Sequence, residues 1–389
     1  MDFEDILTQT GANICLDCGK CTGSCPVSRV DITYSPRRTI ERVLAGRPED
    51  LISDRHLWSC LTCGLCTIRC PSNVDYPAFV VAARRAARRA SVEGTYAHNA
   101  VMQQLMGIMM QPQAPRLRQS RTAWLTEDLR TVTQGDDFYF VGCLPYFDVI
   151  FEDLGVVSTD SARDAVRLMN ALGITPVVSN HERCCGADLL VNGDEEGLSK
   201  LARLNVEAIA DSGARRVIFT CPECYNAFRN DYPRHVGRLP FDLVHISELL
   251  AEHLDELPLG ALDGRVTYQD PCRLGRYQGV YDEPRMLIEA TGVDLVEMRK
   301  NRDNAVCCGS VGWVNCGQCA KGIQMARLRQ AEATGASLMI TACPKCRIHL
   351  SCALRDVDTR REDHQPVDIA LEDLTGLLAR AMRSQIDQE

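Results

Sequence analysis

Two runs of four closely spaced cysteines constrain this chain more than any other feature. They are CLDCGKCTGSCP, with Cys15, Cys18, Cys21 and Cys25, and CLTCGLCTIRCP, with Cys60, Cys63, Cys66 and Cys70. Both runs have the spacing C-x2-C-x2-C-x3-C-P, in which three thiolates surround one iron–sulfur cluster and the fourth ligates a second cluster. The alternative is structural zinc, which is usually held by two CxxC pairs that lie far apart.

We therefore predict two cubane [4Fe-4S] clusters in a domain formed by residues 1–95. One cluster is assigned to Cys15, Cys18, Cys21 and Cys70, and the other to Cys25, Cys60, Cys63 and Cys66. Gly19 and Gly64 would let backbone N–H groups approach the cluster sulfides. The segments SPRRTIERVLAG and DYPAFVVAARRAARRA predict helices, the first with proline at its first position, so this domain should be largely helical.

Four arginines recur on the second of these predicted helices: Arg84, Arg85, Arg88 and Arg89. Such a group is usually a solvated face, and a docking surface is the alternative interpretation. Residues 96–135 lack cysteine and predict a helix followed by a linker, because Pro112 and Pro115 would interrupt a helix.

Composition indicates the redox environment of these thiols. The chain has 389 residues, 21 of them cysteine, and a formal charge of −9. Its first residues are acidic and lack a signal-like apolar stretch, so we expect a reducing, cytoplasmic location where cysteine clusters bind metal rather than form disulfides. No long basic stretch favours nucleic acid, and no apolar run is long enough to span a membrane. A membrane link would therefore come through a partner.

The remaining chain contains an internal repeat. Each copy begins with a strand that ends at a lead cysteine, Cys143 or Cys272. A helix follows, then an apolar strand (ITPVVS or VDLVEM), which leads into a Cys-Cys-Gly motif. A further helix ends at Gly213 or Gly335, and a strand then enters CPEC or CPKC. We predict α/β units at residues 136–258 and 259–389, each closed by a helix that Ser247 or Thr375 caps. Ligands collect where parallel strands end, so the two cysteine edges could face each other across a pseudo-two-fold axis.

Each repeat supplies five candidate ligands. They are Cys143, Cys184, Cys185, Cys221 and Cys224 in the first copy, and Cys272, Cys307, Cys308, Cys343 and Cys346 in the second. Five thiols exceed what a cubane or a zinc ion needs. Adjacent cysteines can bridge neighbouring metals, which suits an unusual iron–sulfur cluster with an accessible iron. An ordinary cluster with one spare thiol is the alternative.

This lead cysteine, Cys-Cys-Gly and Cys-Pro-x-Cys pattern resembles the CCG domain of heterodisulfide reductases. The eight-cysteine block is similar to the ferredoxin-like subunit of those enzymes, and their combination resembles the fused D-type subunit. The same motifs resemble iron–sulfur subunits of glycolate oxidase, lactate-utilisation proteins and anaerobic glycerol-3-phosphate dehydrogenase. The resemblance implies an α+β multidomain chain, a ferredoxin-like domain followed by two CCG domains. It also implies a noncubane [4Fe-4S] cluster in each repeat, with a disulfide split between them.

Several residues depart from the family pattern or lie outside it. Many relatives have one histidine two residues before the lead cysteine of the second repeat and another directly after it. Here Gln269 and Asp270 stand before Pro-Cys272, and Arg273 follows it. Arg273 and Arg276 could instead bind a carboxylate or phosphate, or pack at the surface.

Cys316 and Cys319 form an extra CxxC that is either structural or a redox pair. Cys352 is interpreted as a small buried apolar residue. His181 and His349 would hydrogen-bond near the clusters or, alternatively, transfer protons.

Three functional hypotheses follow. The chain is a catalytic disulfide reductase subunit, an electron-transfer subunit linking a flavin dehydrogenase or acyl-reductase complex to ferredoxin or quinone, or a cluster-bearing sensor. No G-x-G-x-x-G motif opens a helix after a strand, so we expect electrons to come from a flavin-containing, hydrogenase or dehydrogenase partner subunit.

Overall fold

The computed structural model describes residues 3–111, 120–356 and 366–386. The N-terminal part is helical throughout. Its α-helices are α1 Phe3–Gln9, α2 Lys20–Ser24, α3 Pro26–Val30, α4 Pro36–Leu44, α5 Pro48–Ile52 and α6 Tyr76–Arg89. Its 3₁₀-helices are Ala12–Ile14, Arg55–Ser59 and Thr67–Arg69. Ser35 caps α4 by accepting a hydrogen bond from the Arg38 amide, and proline occupies the first turn, as the sequence predicts.

A connecting segment follows this domain. It contains the 3₁₀-helix His98–Ala100 and α7 Val101–Met109. His98, Asn99 and Ala100 all have positive φ values between 52° and 61°, a conformation that non-glycine residues rarely adopt. The predicted interruption at Pro112 and Pro115 lies outside the described residues.

The first repeat is built on a parallel sheet of three strands, in the order β1-β2-β3. Its strands are β1 Asp137–Phe140, β2 Arg216–Phe219 and β3 Asp242–His245. Its α-helices are α8 Leu144–Ile150, α9 Ser158–Ala171, α10 Ala187–Val191, α11 Glu195–Asp211, α12 Pro222–Asn226, α13 Pro233–Val236 and α14 Ile246–Glu252. Short 3₁₀-helices at Glu152–Leu154 and Leu254–Glu256 and a π-helix at Ala227–Asp231 complete it. Arg216 is in register with Asp137 on one side and Asp242 on the other.

The second repeat has a parallel sheet of four strands, in the order β5-β4-β6-β7. Its strands are β4 Arg265–Gln269, β5 Asp294–Leu295, β6 Leu338–Thr341 and β7 Ala370–Asp373. Its helices are α15 Gly275–Gln278, α16 Asp282–Ala290, the 3₁₀-helix Arg302–Asn304, α17 Gln318–Glu332, α18 Pro344–Arg355 and α19 Leu374–Ile386. Val266 pairs with Leu338, which in turn pairs with Ala370.

The structure corrects two local predictions. The segment 174–179 makes only isolated bridges from Val177 to Val132 and Phe138, and its counterpart shortens to the two residues of β5. Pro176 has no N–H to donate to a strand ladder. The closing helices are not capped by Ser247 and Thr375: the side chain of His245 accepts from Ser247 N, and Asp373 accepts from Thr375 N.

Helices from the two repeats pack on one another reciprocally. Helix α14 of the first repeat packs against α16 of the second, and α19 of the second packs against α9 of the first. Thr375 on α19 donates a hydrogen bond to the Ser161 carbonyl at 3.1 Å. One hydrophobic cluster contains residues of both repeats, and a second joins the N-terminal domain to Val306, Val314 and Ile323 of the second repeat. A third surrounds the second-repeat cysteines and includes Cys63 and Leu65.

The arginines of α6 do not form one solvated face. Arg84 is fully buried, and its guanidinium donates to the carbonyls of Leu57, Cys60 and Val191 at 2.7–3.1 Å. The bond to Val191 joins the N-terminal domain to the first repeat. Only part of the predicted polar face therefore meets solvent.

Candidate iron–sulfur centres

The first cysteine run lies at the outer end of the N-terminal domain. Cys15, Cys18, Cys21 and Cys70 line one small cavity, and Cys66 also reaches it. Cys18 is exposed. Gly19, with φ of 74°, turns the loop into α2, a left-handed geometry that glycine adopts without strain. The structure thus brings together the four thiols that the sequence assigns to one cluster.

The second set of thiols lies deeper. Cys25, Cys60 and Cys63 are buried, and Cys25 lies close enough for the Cys63 and Cys60 charges to act on it. Burial raises the pKa of Cys25 to about 12. The Cys60 sulfur accepts a hydrogen bond from the Thr62 amide at 3.3 Å, as a cluster thiolate would. Cys66 is near Cys60, Cys63 and Cys25 and also near Cys21 of the first set, so it lies between the two groups of thiols.

The five cysteines of the first repeat form one continuous chain of neighbouring thiols, in the order Cys143, Cys184, Cys185, Cys224, Cys221. All five are buried. Cys143 begins α8 just after β1, and Cys221 begins α12 just after β2, so the carboxyl ends of two neighbouring strands deliver them. Gly142 has φ of 65°, and a side chain there would lie 3.2 Å from the Cys224 sulfur.

The second repeat reproduces this chain contact for contact. Its thiols neighbour one another in the order Cys272, Cys307, Cys308, Cys346, Cys343. Equivalent positions of the two repeats therefore occupy equivalent places in their sites. Ten sulfurs in two groups, nine of them buried, are a soft ligand set, which suits iron–sulfur chemistry, because thiolates in a buried site need metal charge to balance them.

The cysteine groups are adjacent in a definite order. Cys63 of the deeper N-terminal set lies beside Cys307 of the second repeat, and this neighbour, with the nearby Arg276 charge, lowers the pKa of Cys63. Cys343 of the second repeat lies near Cys221 of the first. The second site is therefore close to both the N-terminal cysteines and the first site. Sequence reasoning missed this order, because the spacings carry no signal for it.

Buried charges surround the boundary between the repeats. Lys345 Nζ lies 2.6 Å from Asp188 and 2.5 Å from Glu223, and Trp313 Nε1 donates to the other Asp188 oxygen at 3.0 Å. Burial raises the pKa of Asp188 to about 6 despite this pairing. Lys345 and Glu223 are the variable residues of CPKC and CPEC, and the sequence pattern alone did not single them out as partners.

A buried carboxylate fixes the loop that carries Cys143. Glu182 accepts hydrogen bonds from the Val141 and Gly142 amides, both at 3.1 Å, and from Arg121 at 3.0 Å. Burial raises its pKa to about 7. Because this carboxylate binds the amides just before Cys143, it orients the lead cysteine of the first repeat.

The residues flanking Cys272 hold the second repeat against the N-terminal domain. Arg273 donates to Thr62 Oγ1 at 2.8 Å and lies 4.3 Å from the Tyr277 ring centroid. Arg276 donates to the carbonyls of Cys63 and Ala305. Gln269 is buried and donates to the Val306 carbonyl. Arg276 and Gln269 therefore hold the backbone in place.

The two histidines near the cysteine motifs differ. His181 is exposed, whereas His349 is buried between Trp313, 4.8 Å away, and the second site. Burial lowers the pKa of His349 to about 4. Cys352, expected to be buried and apolar, is only half-buried and accepts a hydrogen bond from Lys321 at 2.9 Å. Cys319 lies on α17 and Cys316 lies just before it.

Two clefts adjoin the second site. A cavity of about 680 Å³ between the N-terminal domain and the repeats is lined by Arg85, Arg234 and Arg273 and by Glu195, Glu223 and Asp231. We call it the charged cleft. Glu223 and Arg273 also line a smaller cavity beside Cys272, Cys308, Cys343 and Cys346. Glu223 and Arg273 therefore lie between the charged cleft and the cavity that the second-repeat cysteines line.

Two features are absent from the described residues. No helix among them is both long and apolar enough to cross a bilayer. Within residues 3–111, 120–356 and 366–386, no three His, Cys, Asp or Glu side chains are grouped to hold a metal ion by themselves.

Family models match three segments of the chain. The "Cysteine-rich domain" model, called CCG, matches residues 138–229 and 266–351, and the "4Fe-4S dicluster domain" model matches residues 11–74. The D-type subunit of dihydromethanophenazine:CoB--CoM heterodisulfide reductase is 33% identical in Methanosarcina barkeri, over 74% of this chain and 69% of that protein. The Methanosarcina mazei protein is also 33% identical, over 68% of this chain and 63% of its own length.

More distant relatives are also similar. EtfAB:quinone oxidoreductase of Syntrophomonas wolfei is 31% identical over 53% of this chain and 30% of that protein. A crystal structure of a hypothetical protein from Helicobacter pylori superposes with a TM-score of 0.54 at 10% identity, covering 89% of this chain and 66% of that one. That likeness concerns the fold alone.

Proposed function

We propose, because the chain belongs to the CCG-domain iron–sulfur oxidoreductase family that includes the D-type heterodisulfide reductase subunits, that it reduces a disulfide as one component of a larger redox complex. It is an iron–sulfur electron-transfer subunit, and the disulfide is the proposed substrate. Two cubane clusters on the eight N-terminal cysteines and two noncubane clusters on the ten CCG cysteines are its proposed cofactors. When bound, such clusters supply one-electron transfers and an open iron.

The observation that carries this proposal is the repeated five-thiol chain. Two matched sites meet where Cys221 lies near Cys343, and reducing a disulfide requires two electrons and two sulfur acceptors. The reciprocal packing of α14 on α16 and of α19 on α9 supports a pseudo-two-fold relation between the repeats. Such a relation would present both sites to one substrate.

The chain's own residues suggest how that substrate enters. The charged cleft leads to the second-repeat cysteines past Arg273 and Glu223. Arg273 could bind an anionic group of the substrate, because its guanidinium lies at the junction of the two cavities. An Arg273→Gln variant should then raise KM for an anionic disulfide more than it lowers kcat.

The exposed first cysteine set supports an electron donor docking at the N-terminal domain. Ile14, Leu16 and Ile68 flank this set and are 43–68% exposed. Apolar side chains around an accessible redox group suit a transient protein interface. We propose a flavin-containing, hydrogenase or dehydrogenase subunit as this partner.

The test begins with the anaerobically purified chain. We expect about 16 iron and about 16 sulfide per chain, four for each of the four clusters. Reduced viologen should drive reduction of members of a disulfide panel. Cys185→Ser and Cys308→Ser should each abolish this turnover and leave the cubane EPR signals, whereas Cys319→Ser should retain it. Wild-type rates in both cluster-site variants would refute the proposal.

The similarity to EtfAB:quinone oxidoreductase supports a second candidate function. In this alternative the chain passes electrons between a flavin dehydrogenase or acyl-reductase complex and ferredoxin or quinone, without a substrate of its own. A chain with full iron content that is reduced by viologen but turns over none of the disulfides would favour this alternative.

A further inference from the structure

A cavity of about 560 Å³ lies between the N-terminal domain and the second repeat. Its volume is within the range of roughly 300–1,000 Å³ typical of small-molecule sites. All three cysteines outside the cluster motifs line it, namely Cys316, Cys319 and Cys352. Trp58 and Trp313 form apolar parts of its wall. We call this space the interdomain cavity.

One of these thiols has a cationic partner. Lys321 Nζ donates to Cys352 Sγ at 2.9 Å and to the Cys352 carbonyl at 3.1 Å, and it lies 3.3 Å from the Asp356 carboxylate. Reactive cysteines commonly have a lysine, arginine or protonated histidine beside the sulfur. Cys319 is different, since burial raises its pKa to about 11.

The same cavity wall contains buried polar atoms that lack partners. His349 Nε2, Gln324 Oε1 and Trp58 Nε1 have no hydrogen-bond partner among the described residues, and each of these side chains is at most 4% exposed. An unpaired buried polar group costs on the order of 1–3 kcal/mol. A bound molecule with donors and acceptors would satisfy these atoms, so the wall resembles a ligand site.

We propose that the interdomain cavity binds a small organic disulfide and that Cys352 exchanges thiols with it. The Cys352 thiolate attacks one sulfur of the disulfide, a new S–S bond forms to Cys352, and the old S–S bond breaks. The departing thiolate takes up a proton and leaves as a free thiol, so no external oxidant or reductant is needed. This activity goes beyond the proposed function, because no cluster cysteine takes part.

Lys321 is a positioning residue in this scheme. Its ammonium holds the attacking sulfur in place. Helix α18 places Cys346, His349 and Cys352 at intervals of three residues, so they share one face. The exchange site is consequently held on the same rigid helix that carries part of the second cysteine site.

The experiment uses the holoprotein under anaerobic conditions with 2-hydroxyethyl disulfide as the probe. Released thiol is measured, and acid-quenched protein is mapped by peptide mass spectrometry. We expect one mixed disulfide per chain, on Cys352, and no adduct in Cys352→Ser. Lys321→Met should slow adduct formation by about ten-fold or more at unchanged iron content, while Lys321→Arg should retain most of the rate.

Two matched variants serve as controls. Cys319→Ser and Lys200→Met, the latter at an exposed ion pair with Glu196, should react as the wild type does. Absence of any adduct, adducts mainly on Cys316 or Cys319, or a rate unchanged by Lys321→Met would each overturn the proposal. Viologen-driven disulfide turnover is measured in the same preparations. Turnover without a Cys352 adduct would overturn the exchange proposal alone, and a Cys352 adduct without turnover would count against the proposed function alone.

Discussion

Lys345 and Glu223, which occupy the same position in the two Cys-Pro-x-Cys motifs, form a buried ion pair with each other at 2.5 Å. Identical residues at this position would place like charges together across the boundary between the repeats. The divergence of CPEC from CPKC therefore has a physical role: it neutralises the boundary and recruits Asp188 as a second acidic partner.

Removing the lysine should destabilise the protein strongly. Lys345→Met leaves the buried Asp188 and the partly buried Glu223 without their cation, and loss of one member of a buried ion pair costs about 3–5 kcal/mol. Urea unfolding under anaerobic conditions would measure this change. The double variant with Glu223→Gln should recover part of the loss, and additive effects would contradict the coupling. Lys200→Met, at an exposed pair, should leave the urea midpoint unchanged.

Arg84 should be indispensable to the contact between the N-terminal domain and the first repeat. In Arg84→Met the carbonyls of Leu57, Cys60 and Val191 lose a charged donor, each such bond being worth about 1.5–3 kcal/mol. We expect limited proteolysis to separate the N-terminal domain more readily. Arg89→Met on the exposed side of α6 is the control and should resist digestion like the wild type. Equal resistance in both variants would argue against this role.

Gly193 should tolerate no side chain. A Cβ there would lie 2.6 Å from the backbone of Arg84 and Arg85, and φ is 79°. Gly193→Ala must displace α6 or the loop, so thermal unfolding should begin well below the wild-type temperature. Gly213 has nearly the same φ, 77°, but no described atom within 4 Å of such a Cβ. Gly213→Ala should cost only about 1 kcal/mol, the strain of a left-handed residue. Comparable losses in both would refute the steric argument.

His245 should make stability fall in mild acid. It is fully buried, caps α14, and burial lowers its pKa to about 4 from 6.5. Because the pKa is lower in the folded state than in the unfolded state, the contribution of neutral His245 to the free energy of unfolding is fully present above pH 6.5. It is lost as the pH falls from 6.5 towards 4. Between pH 7.5 and 5.5 the loss is about 1.4 kcal/mol.

Urea unfolding at these two pH values measures the difference. His245→Asn, which can still cap the helix, should lack this part of the pH dependence. An identical pH dependence in wild type and variant would show that His245 is not the group responsible.

The cysteine motifs could be interpreted from the sequence alone. Fixed spacing predicts which thiols share a loop, and the structure brings Cys15, Cys18, Cys21 and Cys70 to one cavity, which Cys66 also lines. Which thiols bind which cluster stays a prediction. The helix ends at Gly213 and Gly335 were also predictable, because both glycines adopt positive φ.

Long-range relations were beyond sequence reasoning. The burial of Arg84 depends on Val191, more than a hundred residues away, and nothing on α6 itself distinguishes Arg84 from Arg85. Strands β3 and β7 were missed because each is a partly exposed edge strand, whereas the predicted four-residue strands are almost wholly buried. Caps by His245 and Asp373 were missed because a neighbouring hydroxyl residue was the more usual candidate. The interdomain cavity exists only where two domains meet.

Because Cys63 lies beside Cys307, the order of the cysteine sites in space differs from their order along the chain. The thiols of the second repeat lie between those of the N-terminal domain and those of the first repeat, although the first repeat comes earlier in the chain. Under the proposed function, a substitution that disables the second-repeat site would therefore also deprive the first-repeat site of electrons entering at the N-terminal domain, whereas disabling the first-repeat site would leave electron transfer to the second intact.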